Sequence, residues 1–296
     1  MGIGSAIPWW GKIAAKVVLK RLPVGGRAWQ RLNVFSPGFM LDAEYAIGVF
    51  RDHFLRAGAP PPGFRYLELG PGDSLATAAI AWAYGAAGGY LVDNGAYAAT
   101  DITLYQPLLA RLAALHGKGG GLAPVRDATM LQSCGDIDDL LRQTNATYRE
   151  DGLASLRQVP AGSLDLVFSQ AVLEHVPLAE FDATMQALLA ALKSTGIASH
   201  RIDFKDHLGA SLHNLRFAET FWEQPWFARD SGFYTNRLRF SQMIDSFRTA
   251  GFDIAVEVQD RWPALPLPRS RMAVPFRDLG DDDLLTSGAT VTLRKR

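Results

Sequence analysis

The stretch Tyr66-Leu67-Glu68-Leu69-Gly70-Pro71-Gly72-Asp73-Ser74-Leu75 decides the fold. An apolar run that ends in an acid and breaks into Gly-Pro-Gly reads as a buried strand turning sharply beneath a ligand, because glycine lets the backbone come close to what it binds. About twenty residues later, Gly89-Tyr90-Leu91-Val92-Asp93-Asn94 repeats the pattern and suits a second parallel strand whose terminal acid holds a ribose by its hydroxyls. The two segments describe a nucleoside-binding α/β domain, against the alternative of a tight strand-to-helix turn with no ligand.

The motif also says which nucleoside it suits. A dinucleotide fingerprint needs a third glycine so that a helix N-terminus can receive a pyrophosphate, and here that position is Leu75. Glu68, just before the loop, would repel a phosphate and welcome a cationic amino group. S-adenosylmethionine has an amino-acid tail, a ribose and no phosphate. At these residues the chain resembles the class I S-adenosylmethionine-dependent methyltransferases, whose first motif has an acid before G-x-G and whose second strand ends in an acid that grips the ribose. A third segment, Ala161-Gly162-Ser163-Leu164-Asp165-Leu166-Val167-Phe168-Ser169-Gln170-Ala171-Val172-Leu173-Glu174-His175-Val176, is similar to the fourth-strand motif of that family and is the most specific signal in the chain.

The resemblance covers about residues 60 to 205 and resumes at 238 to 295. It implies an α/β, Rossmann-like, mainly parallel seven-stranded sheet with helices on both faces and the last strand antiparallel. It also implies S-adenosyl-L-methionine as cofactor, with Glu68, Gly70, Gly72, Asp73 and Ser74 at the amino-acid tail and Asp93 and Asn94 at the ribose. Asp151 and Gly152 are implied at the adenine edge, and Ser169 at the end of the fourth strand.

Along the chain, strand and helix alternate, which by itself calls for a mainly parallel sheet covered on both faces. Helical patterns run over Asp42 to Leu55, Ser74 to Tyr84, 103 to 116, Leu178 to Leu192 and Leu238 to Ala250, the last ended by Gly251. Later strands are Ile197 to Phe204, Phe252 to Val258 and Ala289 to Leu293. Residues 1–60 read as an N-terminal helical cap, closed off by Ala59-Pro60-Pro61-Pro62-Gly63, and 61–296 as the methyltransferase domain. Gly117-Lys118-Gly119-Gly120-Gly121 is a flexible break. Residues 205–237 form an insertion rich in aromatic residues, among them Phe217, Phe221, Trp222, Trp226, Phe227, Phe233 and Tyr234. Because it follows a strand's carboxyl end it reads as an acceptor lid, the alternative being rings that pack the segment or make a dimer interface.

Composition agrees with an intracellular enzyme. The 296 residues are 48% apolar with a formal net charge of zero, which argues against a nucleic-acid substrate, since phosphate-tracking proteins carry a basic excess. One cysteine, Cys134, permits neither an intramolecular disulfide nor a cysteine zinc site. No apolar run is long enough to cross a bilayer and the opening residues lack a signal peptide's charged start, so the cytoplasm is the expected location. Trp9, Trp10, Ile13, Val17 and Val18 share a helical face opposite Lys12, Lys16 and Lys20. Residues 9–20 therefore suit either peripheral contact with an anionic membrane or packing against the core or a second subunit, as in a homodimer.

Methyl transfer requires in-line positioning of the nucleophile and, for an alcohol, a base to take its proton. His175, His200 and His207 are the candidates, with Asp203 or Asp206 as helper, because histidine titrates near neutrality. Some relatives hold a divalent cation through Glu-x-x-Glu-His. Here Glu174 and His175 match but Ala171 replaces the first glutamate, so no metal is expected. The expectation is O-methylation of a small molecule or glycan in polysaccharide or secondary-metabolite biosynthesis. N- or C-methylation of an amino sugar or secondary metabolite, and a non-catalytic cofactor-binding partner subunit, stand as alternatives.

Overall fold

The computed structural model describes residues 39–118 and 123–296. The amphipathic stretch 9–20, the cap as far as residue 38, and Gly119 to Gly121 of the glycine break lie outside the described residues. Seven strands form one sheet: β1 (Arg65–Leu69), β2 (Gly88–Val92), β3 (Ala146–Arg149), β4 (Leu164–Gln170), β5 (Leu192–Asp203), β6 (Phe252–Arg261) and β7 (Thr286–Lys295). Their spatial order is β3-β2-β1-β4-β5-β7-β6. The strands from β3 to β5 pair in parallel, and β7 runs antiparallel to both of its neighbours. This order with a reversed β7 is the class I methyltransferase fold.

Alternation along the strands sorts the core into two layers. Tyr66, Phe168 and Ile197 face one side, where they meet α1 (Ala43–Arg56) and α2 (Ala76–Ala83). Leu67, Val167 and Ala198 face the other, against α6 (Phe181–Ala191) and α9 (Phe240–Ala250). Between them in sequence come α3 (Gln106–Leu115), α4 (Ile137–Gln143), α5 (Leu153–Leu156), α7 (Glu219–Trp222) and α8 (Pro225–Asp230). The Asp42 side chain accepts from the Tyr45 amide at 2.8 Å to start α1, and Gly251, at φ 108°, ends α9.

The boundaries differ from the expected ones where local and tertiary signals compete. β3 was not marked by sequence pattern: Ala-Thr-Tyr-Arg is a short edge strand with no fully buried residue. β5 begins at Leu192, five residues before the apolar run, through an irregular register against β4. Leu178–Glu180 is a 3-10 turn preceding α6. Among the described residues no helix is long and apolar enough to cross a membrane.

Candidate functional site

Sheet order reverses between β1 and β4, and there the loops after the two strands part to leave a crevice, the usual place for a ligand in an open α/β sheet. Gly70 and Gly72 both take positive φ, 72° and 65°. A Cβ on Gly70 would lie 2.5 Å from a Val172 methyl, so the β1 loop can pass the β4 loop only with glycine here, whereas a Cβ on Gly72 would meet open space. The crevice is a cavity of about 610 Å³.

Three carboxylates line its β1–β2 end. Glu68 is 2% exposed, its Oε2 has no hydrogen-bond partner, and burial pushes its pKa up to about 8, with Asp93 and Asp73 adding to the rise. Burial likewise raises Asp73 to about 6. Asp93 accepts from the Gly72 amide at 2.9 Å and the Asn94 amide at 2.8 Å, and its pKa is raised by burial. Among the described residues none of the three acids has an ion-pair partner, and no arginine or lysine lines the cavity. An unpaired buried carboxylate is costly until a cation arrives. The amide of Leu75, where a pyrophosphate would sit in a dinucleotide site, donates to the Tyr105 hydroxyl at 3.0 Å. These residues fit the amino-acid tail and ribose of S-adenosylmethionine and do not fit a phosphate.

Of the other expected cofactor residues, Asn94 and Gly152 line the cavity, and the Gly152 amide donates to the Asp93 carbonyl at 2.8 Å. Asp151 is exposed and does not line the cavity, whereas Glu180 does. Ser74 is buried beneath the loop, with its hydroxyl accepting from the Ala76 amide at 3.2 Å. Ser169 is buried inside the sheet, where its hydroxyl meets His200 Nδ1 at 2.8 Å. Alternation explains the place of Ser169: one residue either way along β4 reverses the face a side chain occupies.

The histidines separate in the same way. His175 and His207 line the cavity, their Nε2 atoms 3.0 Å apart. His175 Nδ1 lies 2.9 Å from the Tyr234 carbonyl, and a carbonyl only accepts, so Nδ1 carries the proton and Nε2 offers its lone pair to the His207 N–H. Burial, then the neighbouring His207, lowers the His175 pKa to about 4. His200 is a correction to the expected site: it is fully buried in the sheet, outside the cavity, with its pKa lowered by burial to about 3. Asp203 is also away from the cavity; its carboxylate accepts from the Lys205 amide at 2.9 Å and orients neither cavity histidine. Asp206, accepting from the amides of Leu208 (2.9 Å) and Gly209 (2.7 Å), instead shapes the turn that carries His207.

The aromatic insertion behaves differently from the expected lid. Trp222 and Phe227 are fully buried and, with Tyr234, form a small core of their own, Trp222 Nε1 donating to the Thr235 carbonyl at 2.7 Å. None of its rings except the imidazole of His207 lines the cavity. What the segment supplies is support. Asn236 donates to the carbonyls of Leu173 (2.8 Å) and Val176 (3.0 Å), bracing the turn that holds His175. Among the described residues the phenylalanine and tyrosine side chains that line the cavity are Phe39, Tyr45 and Tyr97. Tyr45 sits on α1, a helix visible in the sequence, but nothing in its pattern distinguished a cavity-facing ring from a core one. His53, also on α1, was missed too: buried, it meets Ser199 Oγ at 2.7 Å and Gln170 Oε1 at 3.1 Å, and so fixes a residue of the cavity wall. Among the described residues no group of three or more histidine, cysteine, aspartate or glutamate side chains is placed to hold a metal.

No family model and no curated protein matches the chain. Solved structures similar to it include an S-adenosylmethionine-dependent methyltransferase from Mesorhizobium loti, at 17% identity and TM-score 0.39, over 81% of this chain and 95% of that one. DhpI in complex with SAH is 16% identical at TM-score 0.42, over 97% of this chain and 98% of that one. Haemonchus contortus phosphoethanolamine N-methyltransferase 2, in complex with S-adenosyl-L-methionine, is 14% identical at TM-score 0.44, over 87% of this chain and 59% of that one. With every TM-score here below 0.5, the sheet order remains the observation that defines the fold.

Proposed function

We propose that this chain is an S-adenosylmethionine-dependent methyltransferase acting on a hydroxyl oxygen of a small molecule or glycan. The observation that carries the reading is the buried carboxylate of Glu68, unpartnered at Oε2, in a cavity that holds Asp93 and the Gly70–Gly72 loop and, among the described residues, no arginine or lysine. Glu68 would hold the cofactor's amino group, Asp93 the ribose hydroxyls, and Gly152 with Leu153 the adenine edge. When bound, the cofactor supplies a methyl group already activated on a sulfonium, so the chain has to position the acceptor and dispose of its proton.

The His175–His207 pair is the device for the second task. Tyr234 holds the proton on His175 Nδ1, which leaves Nε2 as the base. The acceptor hydroxyl takes the place of the His207 N–H on that lone pair and gives up its proton there. The resulting imidazolium keeps its Nδ1 hydrogen bond to the carbonyl, which stabilises the charge. An acceptor screen with S-adenosylmethionine, read by mass spectrometry, tests the function. Addition of one methyl group to a hydroxyl-bearing compound supports it; addition only to amines or carbon would reassign the chemistry within the same fold.

A further inference from the structure

A second cavity, of about 410 Å³, opens between α1 and the sheet beside the one already described, and Tyr45 and Gln170 line both. Its floor is a row of side chains in register across four strands: Gln170 on β4, Arg201 on β5, Thr290 on β7 and Val258 on β6. Its wall is one face of α1, where Tyr45, Gly48, Asp52 and Arg56 recur at spacings of three and four residues.

Three features suit this cleft to a ligand. Gly48 stands inside a helix, where glycine is less stable than alanine, yet a Cβ there would meet nothing within 4 Å, so packing does not require it. Its missing side chain leaves room on the face that carries the Tyr45 ring. Gln170 is oriented from behind: His53, kept neutral by burial, donates from Nε2 to Gln170 Oε1 at 3.1 Å and accepts at Nδ1 from the Ser199 hydroxyl at 2.7 Å. The Gln170 amide nitrogen, unpartnered among the described residues and not closed off from solvent, is thereby a fixed donor where the two cavities adjoin. Arg201 is held across β7 by its ion pair with Asp260, and a Cβ on Gly288 would come within 2.8 Å of its guanidinium.

We propose that this cleft binds a neutral sugar unit of the methyl acceptor, its hydroxyls bonded to Gln170, Asp52 and Arg56 and its ring beside Tyr45. The inference rests on the methyltransferase reading and narrows the acceptor to a glycan or glycoside. Among the described residues two acids and two arginines line the cleft, which therefore carries no net charge. Glu44 is paired with Arg111 and Arg201 with Asp260, while Asp52 and Arg56 have no ion pair among the described residues. A carboxylate that only accepts, beside a guanidinium and an amide nitrogen that only donate, matches groups that do both, as hydroxyls do. A small zwitterion would also match Asp52 and Arg56. These two are exposed and half-buried, where charge pairing contributes little, and such a ligand would leave Gln170 and the Tyr45 ring unused.

Saturation-transfer NMR on the full chain tests this, with the methyl glycosides of mannose, rhamnose and glucose as neutral probes and glycine and glucosamine as charged ones. Calorimetry with S-adenosylmethionine runs alongside. At least one neutral glycoside should bind, and more tightly than either charged probe. Gly48→Leu, which puts bulk into the open cleft and favours the helix, should abolish the sugar signal with S-adenosylmethionine affinity unchanged and the melting temperature no lower. Asp52→Ala, at an exposed position, should weaken sugar binding roughly tenfold, the scale of hydrogen bonds to a charged group. Binding of none of the neutral glycosides, preference for a charged probe, or undiminished sugar binding in either folded variant would overturn the inference, and S-adenosylmethionine binding in the same samples would leave the methyltransferase reading intact. Absence of S-adenosylmethionine binding would overturn that reading and, with it, the cleft's role towards an acceptor.

Discussion

The Nε2 atoms of His175 and His207 lie 3.0 Å apart, with the two rings stacked 17° from parallel and their centroids 4.8 Å apart. One comes from the turn after β4 and the other from the chain leaving β5, so the pair closes the cavity from two neighbouring strands. A positioned histidine base contributes about 10²- to 10⁴-fold to turnover. Replacing His175 with alanine should therefore cut turnover on a hydroxyl acceptor by roughly that factor, with cofactor affinity nearly unchanged. His207→Ala should reduce it less, because the Tyr234 carbonyl still sets the tautomer. Because burial lowers His175 to about 4, the base is already unprotonated at neutrality. The acid limb of the pH–rate profile should then lie near pH 4 to 5 instead of the usual histidine range. Near-normal rates in both variants would point to an acceptor that needs no base, such as an amine.

The pH dependence of stability follows from groups buried against their charge. Glu68 and Glu174, both raised to about 8 by burial, are protonated in the folded state and must ionise as pH rises through 8, while the unfolded chain ionises them near 4.5. The folded state binds the extra protons, so apo stability should fall from pH 6.5 to 8. His53, His175 and His200, lowered to about 4, 4 and 3, act in the opposite sense. They take up protons first in the unfolded chain, so their contribution is complete above the unfolded value of 6.5 and is lost as pH falls towards the folded values. The two sets oppose one another between about pH 4.5 and 6.5. The melting temperature of the apo protein should be highest in that window, and Glu174→Gln should flatten the fall above it. A melting temperature that rises steadily to pH 8 would contradict this.

Trp222→Ala should destabilise the fold by about 3 to 5 kcal/mol, the cost of emptying a large buried ring site, with the Thr235 carbonyl left unpartnered in addition. Trp226, 42% exposed, should tolerate the same change with a much smaller loss. Denaturant titration of the two variants compares them directly. Equal midpoints would mean that the insertion does not form its own core.

Gly70→Ala should damage folding and cofactor binding together, because the new Cβ would overlap Val172 and the residue sits at φ 72°. Adding Val172→Ala should recover part of the loss by removing the overlap, the remainder being the cost of the left-handed backbone, about 1 to 2 kcal/mol. Calorimetry and thermal melts on the single and double variants measure the coupling.

Much of this was legible in the chain because β1, β2 and β4 carry continuous apolar runs that end in functional residues. Glu68, Gly70, Gly72, Asp73 and Asp93 line the cavity where the motifs put them. A strand face, by contrast, is set by register: Ser169 and His200 look like site residues in sequence and instead bond to each other within the sheet. β3 carried no signal because an edge strand of four partly exposed residues has neither an apolar run nor a clean alternation. The rings of 205–237 read as acceptor-facing because composition does not say which aromatic surface finds a partner. Trp222 and Phe227 found each other, with ring centroids 4.7 Å apart, while Phe39 and Tyr45 reached the cavity from a segment that read only as a cap.

The central claim, that the chamber formed by Glu68, the Gly70–Gly72 loop and Asp93 binds a sulfonium nucleoside, is tested most directly by calorimetric titration of the whole chain with S-adenosylmethionine and with NAD. The account predicts one molecule of S-adenosylmethionine per chain, with binding weakened by about 1.5 to 3 kcal/mol in Asp93→Ala, the scale of hydrogen bonds to a charged group, and no tight binding of NAD. Tight binding of NAD with none of S-adenosylmethionine would contradict it.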